Sequence, residues 1–257
     1  MADLYFIALV TSILAVLCQG APTCGTGGVE ESETSAVVRL INERRTALVD
    51  GTQRNGETGQ NLPPAKSMNA ITWSCDLEKV TQEGLKSHSC DSNFPPVDPQ
   101  GRAQLYTSAD NEYESTVEEF IASRVDLIDS NALKDVGPNS VKYTDATATS
   151  EYSNVMRATT TQIACTKKVC TDINMYVIYC ITNQKALTNG EVIYEVGIAG
   201  QCTDCPAGTV CDPTSKLCVA SGGTVSAGTA STTPATTATA ASTTLPTSPE
   251  ANFPSGW

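Results

Sequence analysis

The chain carries one histidine, His88, in Lys86-Ser-His-Ser-Cys90, and that count bounds its chemistry. A Ser-His-Asp triad or a Cys-His pair needs an imidazole as general base, so either would have to be built on His88. Cation sites that rest on two or three imidazoles cannot form. His88 stands beside a cysteine at an expected helix end, where a solvated polar side chain accounts for it. Carboxylates are the other acid-base candidates. Glu30, Glu31 and Glu33 form a charge run ahead of the first expected helix, and Glu118 and Glu119 fall on the solvated face of the third. The 8 Tyr and 2 Trp are too few for an aromatic carbohydrate platform, and Trp73 is expected to pack on the second helix. Sulfur is plentiful, with 11 cysteines. Cys202, Cys205, Cys211 and Cys218 have the spacing of a four-thiolate zinc site and also of two local disulfides.

The compartment decides between those readings. Residues 1–20 hold an apolar run, Leu4 to Leu17, followed by Cys18-Gln19-Gly20, and read as a signal peptide cleaved before Ala21, although Asp3 stands where a basic residue is usual. Cleavage removes Cys18 and leaves 10 cysteines, an even number that can pair fully in an oxidising space. Disulfides are therefore expected at Cys24, Cys75, Cys90, Cys165, Cys170, Cys180, Cys202, Cys205, Cys211 and Cys218. The formal charge of −12 argues against nucleic acid and anionic membrane surfaces as partners, since both select clustered Lys and Arg. No second apolar stretch is long enough to span a bilayer, and no Asn-x-Ser/Thr sequon occurs. The expectation is an exported protein without a stable membrane anchor.

The elements that must position these residues divide the chain into five parts. After the signal come an N-terminal arm (21–34), a domain (35–198), a cysteine-rich module (199–220) and a Ser/Thr/Pro-rich tail (221–257). The tail cannot bury enough apolar surface to order itself and suits O-glycosylation. Within the domain, Val37, Val38, Ile41 and Leu48 mark one helical face, and Leu77, Val80 and Leu85 a second helix opened by Asp76-Leu77-Glu78. Val117, Phe120, Ile121, Val125 and Ile128 mark a third, with Ser115 as cap and Glu118 as its capping-box partner. A short helix around Tyr152 to Ala158 precedes strand-like runs at Gln162–Cys165, Met175–Thr182 and Glu191–Val196, the last two joined by a Gly/Asn loop. Helices followed by hairpin strands predict an α+β sandwich with an antiparallel sheet. Cys75 and Cys90 at the two ends of one helix would stand about 22 Å apart, too far to bridge, so each must reach a distant segment; the sheet cysteines are the expected targets, and the connectivity stays open.

Several separated motifs now read together. Asn42-Glu-Arg-Arg45 with Leu48 and Gly51, Ala65-Lys-Ser-Met68, Trp73-Ser-Cys-Asp-Leu-Glu78 and Cys90 resemble the opening of the CAP superfamily, the cysteine-rich secretory, antigen 5 and pathogenesis-related 1 proteins. Tyr152-Ser-Asn-Val-Met-Arg-Ala-Thr-Thr-Thr-Gln-Ile-Ala-Cys165 is similar to that family's first signature and Tyr176-Val-Ile-Tyr-Cys180 to its second. Ile193-Tyr-Glu-Val-Gly197 with the four-cysteine module resembles the activation-associated secreted, or venom allergen-like, proteins of parasitic nematodes, whose module is a hinge.

The resemblance spans residues 35–218 and implies a three-layer α-β-α sandwich. It also implies a cleft in which two His and two Glu can hold a divalent cation, and here the sequence departs. The matching positions are Phe94, Ala103, Ser123 and Glu151, so none of the four ligands is retained. Asn154 and Arg157 likewise replace the usual Gln and Trp of the first signature. The expectation is a non-enzymatic binding protein without catalytic residues, metal or cofactor, which recognises a host or other extracellular protein. The alternative is carriage of a sterol or fatty acid.

Overall fold

The apolar spacing at Val37, Ile41 and Leu48 winds into helix α1, Glu31–Val49, in the computed structural model, which describes residues 24, 29–57, 60–110, 115–145 and 147–221. All three side chains are fully buried. Glu31 and Glu33 lie in the first turn of α1 and not ahead of it, where carboxylates oppose the positive end of the helix dipole. Glu33 also accepts a hydrogen bond from the Val117 N–H.

Three polar residues, Thr34, Asn42 and Arg45, share the buried face of α1, and the last two reach beyond the helix. Asn42 donates through Nδ2 to the Ile71 carbonyl at 2.9 Å and accepts the Ile71 N–H at 2.8 Å, so its amide pairs with that backbone as a strand would. Arg45, fully buried, donates to the carbonyls of Asn69, Val155 and Arg157. The Asn42–Arg45 motif thus fastens α1 to two segments far away in sequence.

Strand β1 is Thr72–Trp73 and helix α2 Cys75–Lys86, capped by Ser74, whose side chain accepts from the Leu77 N–H. Trp73 is buried and donates Nε1–H to Glu78 Oε2 at 2.6 Å, packing on α2 as its position predicts. Strand β2, Arg102–Asp110, precedes helix α3, Val117–Val125. Thr116, not Ser115, caps α3, and its capping-box partner is Glu119, one residue along from the expected pair. A 3₁₀ turn (Asp126–Asp129), strands β3 (Asp135–Val136) and β4 (Ser140–Lys142) and helix α4 (Thr147–Met156) follow. Strands β5 (Gln162–Cys170), β6 (Met175–Lys185) and β7 (Val192–Glu195) complete the domain.

The central sheet has the order β1-β5-β6-β2. β5 and β2 run antiparallel to β6, and the two-residue β1 pairs in parallel with β5. Side-chain alternation gives the sheet two distinct faces. Leu105, Cys180 and Cys165 stand in register on the face that looks into the core shared with α3 and α4. Thr166 and Lys168 occupy the other face, where Thr81 Oγ1 lies 2.6 Å from Thr166 Oγ1 and Lys168 Nζ donates to Leu85 O of α2. The result is a three-layer α-β-α sandwich. β7 is not in the central sheet, contrary to the expected sequence of hairpin strands; it pairs with β4 in a separate sheet of order β3-β4-β7.

The same alternation explains the disulfides. Cys165 and Cys180 are direct cross-strand neighbours with Cα atoms 4.0 Å apart and bridge to each other. Cys170, five residues on from Cys165, faces α2 instead, and takes Cys90 from beyond the end of that helix. Cys75, the first residue of α2, does not reach the sheet as expected; its Cα lies 5.0 Å from that of Cys24 in the N-terminal arm, within disulfide reach, and those two pair. Cys202–Cys211 and Cys205–Cys218 close the terminal module around the hairpin β8 (Thr209–Cys211) and β9 (Cys218–Ala220). This module is not held by its bridges alone. Leu217 is fully buried in the domain's core, Cys218 exchanges backbone hydrogen bonds with Met68 and Ala70, and Lys216 Nζ lies 2.6 Å from Asp50 Oδ1. The expected signal segment and the tail beyond Ser221 lie outside the described residues.

Candidate functional site

Of the four cleft positions only Glu151 carries a strong ligand atom, and the fold commits it elsewhere. It lies in α4, where Oε1 accepts from the Tyr106 N–H of β2 at 3.4 Å and Oε2 stands 3.4 Å from Arg124 Nε of α3. Burial raises the Glu151 carboxyl above its ordinary range, against the pull of Arg124 and the Tyr106 N–H. The Arg124 guanidinium lies over the Phe120 ring at 5.0 Å, an i, i+4 pair on α3. The Arg124 cation therefore faces the carboxylate of Glu151.

The other three positions contribute no competing ligand. Ala103 is buried on β2 and has no donor atom. Ser123 is exposed and donates its hydroxyl hydrogen to Phe120 O at 2.7 Å. Phe94 is 77% exposed and turned to solvent. The divalent cation implied by the resemblance does not fit this donor set. It would need several anionic or imidazole ligands, and Glu151 is already shared between an N–H and a guanidinium. Among the described residues no three His, Cys, Asp or Glu side chains gather as a metal site, and the ten described cysteines are disulfide-bonded.

His88 is not simply solvated. Its Nε2 lies 3.1 Å from Tyr106 Oη, and the rings meet edge to face. Tyr106 Oη donates its single hydrogen to Ser92 O at 2.7 Å, so in this bond it accepts, which places a hydrogen on His88 Nε2. An imidazole that donates to a phenol has no nucleophile to deprotonate there. Arg124 and Tyr106, the groups that define the surroundings of Glu151, were not singled out from sequence. The Phe120–Arg124 spacing was a legible helical signal, whereas the contact of Arg124 with Glu151, 27 positions away on another helix, was not.

Phe94 sits on a segment that runs along β2. Ser108 Oγ donates to Cys90 O, Tyr106 Oη to Ser92 O, and Gln104 Nε2 to Pro96 O at 3.1 Å. Beyond a bulge in the strand, Arg102 grips Asp98 through its guanidinium and backbone N–H. The Arg102 and Asp98 side chains are only 9% and 1% exposed, and the Arg102 hydrogen bond holds the Asp98 carboxyl below its ordinary range.

Ancylostoma secreted protein of Ancylostoma caninum is 26% identical over 217 residues, which cover 80% of this chain and 47% of that protein. The crystal structure of Na-ASP-1 superposes with a TM-score of 0.62 at 25% identity, covering 78% of this chain and 48% of that one. BmVAL-1 gives a TM-score of 0.64 at 23% identity, with 77% and 98% covered. The chain thus spans about half the length of the Ancylostoma protein and of Na-ASP-1, and nearly all of BmVAL-1. The match to the cysteine-rich secretory protein (CAP) family runs from residue 38 to residue 182, more than half of the chain, and with the sandwich and its bridges in place the chain belongs to that family.

Proposed function

We propose that this CAP protein is an extracellular, non-enzymatic binding protein whose ligand is another protein. The observation that carries the reading is the set of contacts at the four matched positions, where a guanidinium and a backbone N–H engage Glu151 and the other three offer Phe, Ala and Ser. Five disulfides suit an oxidising space outside the cell. No described helix is long and apolar enough to cross a membrane. The Ancylostoma relative is itself named a secreted protein. The likeness to nematode secreted proteins makes a host protein the expected partner.

The test is saturable binding of the labelled, fully oxidised chain to blood plasma proteins and to intact mammalian cells. Specific sites that unlabelled chain displaces are the expected result. Absence of such sites, together with sterol or fatty acid found on the purified chain by native mass spectrometry, would transfer the reading to lipid carriage. Hydrolysis of ester or peptide substrates that disappears in His88→Ala would overturn the non-enzymatic part.

A further inference from the structure

The segment Cys90–Asp98 is a strap, held at intervals by one face of β2. Gln104, Tyr106 and Ser108 share that face by alternation and donate to the carbonyls of Pro96, Ser92 and Cys90 in turn, while Arg102 holds Asp98. The Cys90–Cys170 bridge anchors one end and the buried Asp98–Arg102 pair the other. Pro95 and Pro96 fix two φ angles between them. Ser92 Oγ brackets Phe94, donating to its carbonyl and accepting its N–H.

From this frame two large apolar side chains project into water, Phe94 at 77% and Val97 at 94% exposure. Burying such side chains is stabilising, and the fold leaves both outside while securing the backbone beneath them. The flanks are acidic. Asp91 on the strap and Asp172 two residues past Cys170 are exposed and form no salt bridge among the described residues. The neighbouring lysines are engaged: Lys86 with Glu83, and Lys168 with the carbonyls of Leu85 and His88.

We infer that Phe94 and Val97 form a docking prong for a protein partner that offers an apolar pocket with a basic rim. The inference rests on the proposed protein-binding function and names its surface. A convex pair of side chains needs a concave receptor. Aromatic anchors dominate such interfaces, and a backbone already held in place lowers the entropy lost on binding. The acidic flanks and the net charge of −12 select basic rim groups and disfavour anionic bilayers.

The experiment repeats the plasma and cell binding with full-length wild type, the double variant Phe94→Ser/Val97→Ser, and Val192→Ser as an exposed control on β7. The double variant should bind about 30-fold more weakly, the fold-change for loss of an anchor, with an unchanged disulfide map and denaturation midpoint. Val192→Ser should bind as wild type does, and affinity should fall with added salt. Tyr106→Phe, which frees Ser92 O, should weaken binding severalfold although both prong side chains remain. Wild-type affinity in the double variant overturns the prong and leaves the proposed function standing; no saturable binding by any chain overturns both. Phe94-dependent sedimentation with phosphatidylcholine vesicles, or Phe94-dependent dimers in ultracentrifugation, overturns the prong by assigning it to lipid or to a second copy.

Discussion

Arg45 shows at the scale of one residue how a charge is kept inside this fold. Burial lowers its guanidinium to about 9, which still leaves it charged at neutral pH. Among the described residues no carboxylate pairs with it; three backbone carbonyls accept from it, two of them from the end of α4, where the helix dipole favours a cation. Removing the side chain strands those carbonyls in the core, so Arg45→Met should lose about 3–5 kcal/mol in urea denaturation. Glu151 carries a pH signature. Its carboxyl holds a proton more tightly in the fold than in the unfolded chain, where the ordinary value is 4.5. The stabilisation is complete below 4.5 and is lost as pH rises through the raised value. Measured against Glu151→Gln at stepped pH, wild type should therefore lose relative stability as pH rises over that range. Asp98 runs the other way. Its carboxyl is lowered from 3.8, foremost by the Arg102 hydrogen bond, so its contribution is present above 3.8 and disappears as acid takes the pH down through the lowered value. The stability advantage of wild type over Asp98→Asn should vanish in that acid range.

At the scale of elements, periodicity located α1, α2 and α3 but set the start of α3 one residue early. Ser115 and Thr116 are both able caps, and the choice falls to the backbone that is extended at Thr116 while its hydroxyl accepts the Glu119 N–H. Thr116→Ala should cost about 1 kcal/mol in thermal or urea unfolding, and Ser115→Ala close to nothing. β2 illustrates a different limit. Arg-Ala-Gln-Leu-Tyr-Thr-Ser-Ala-Asp reads as neither a buried nor a regularly alternating strand, because it is an edge: one flank pairs with β6 from Arg102 to Asp110, and its outward side chains spend their polar groups on the strap. Nothing local to those nine residues demands a strand. The partner strand does.

For the whole molecule, the five bridges distribute the chain's stability unevenly in sequence. Cys90–Cys170 and Cys24–Cys75 close separations of 80 and 51 residues, whereas the pair in the sheet and the two in the terminal module close 15, 9 and 13. The terminal module is nevertheless part of the main core through Leu217. Leu217→Ala should destabilise the entire domain by about 2–5 kcal/mol, as a single shifted transition and not as separate melting of the module. A transition of the domain unchanged in midpoint would show the module to be an independent appendage.

The sequence by itself determined which residue types were present for chemistry: one imidazole, 11 cysteines, and no second histidine for a site built on two. Those are counts and local spacings, and no folding is needed to read them. Helical periodicity and the order of motifs also sufficed for the family sandwich. Only the tertiary structure decided which cysteines meet, because that depends on the face of the sheet to which each strand residue points. It alone set Arg124 against Glu151, drew His88 to Tyr106 and pinned the strap that turns Phe94 outward. Each of these is a contact between segments far apart in the chain, and such contacts are selected by packing across layers, which one-dimensional spacing does not encode.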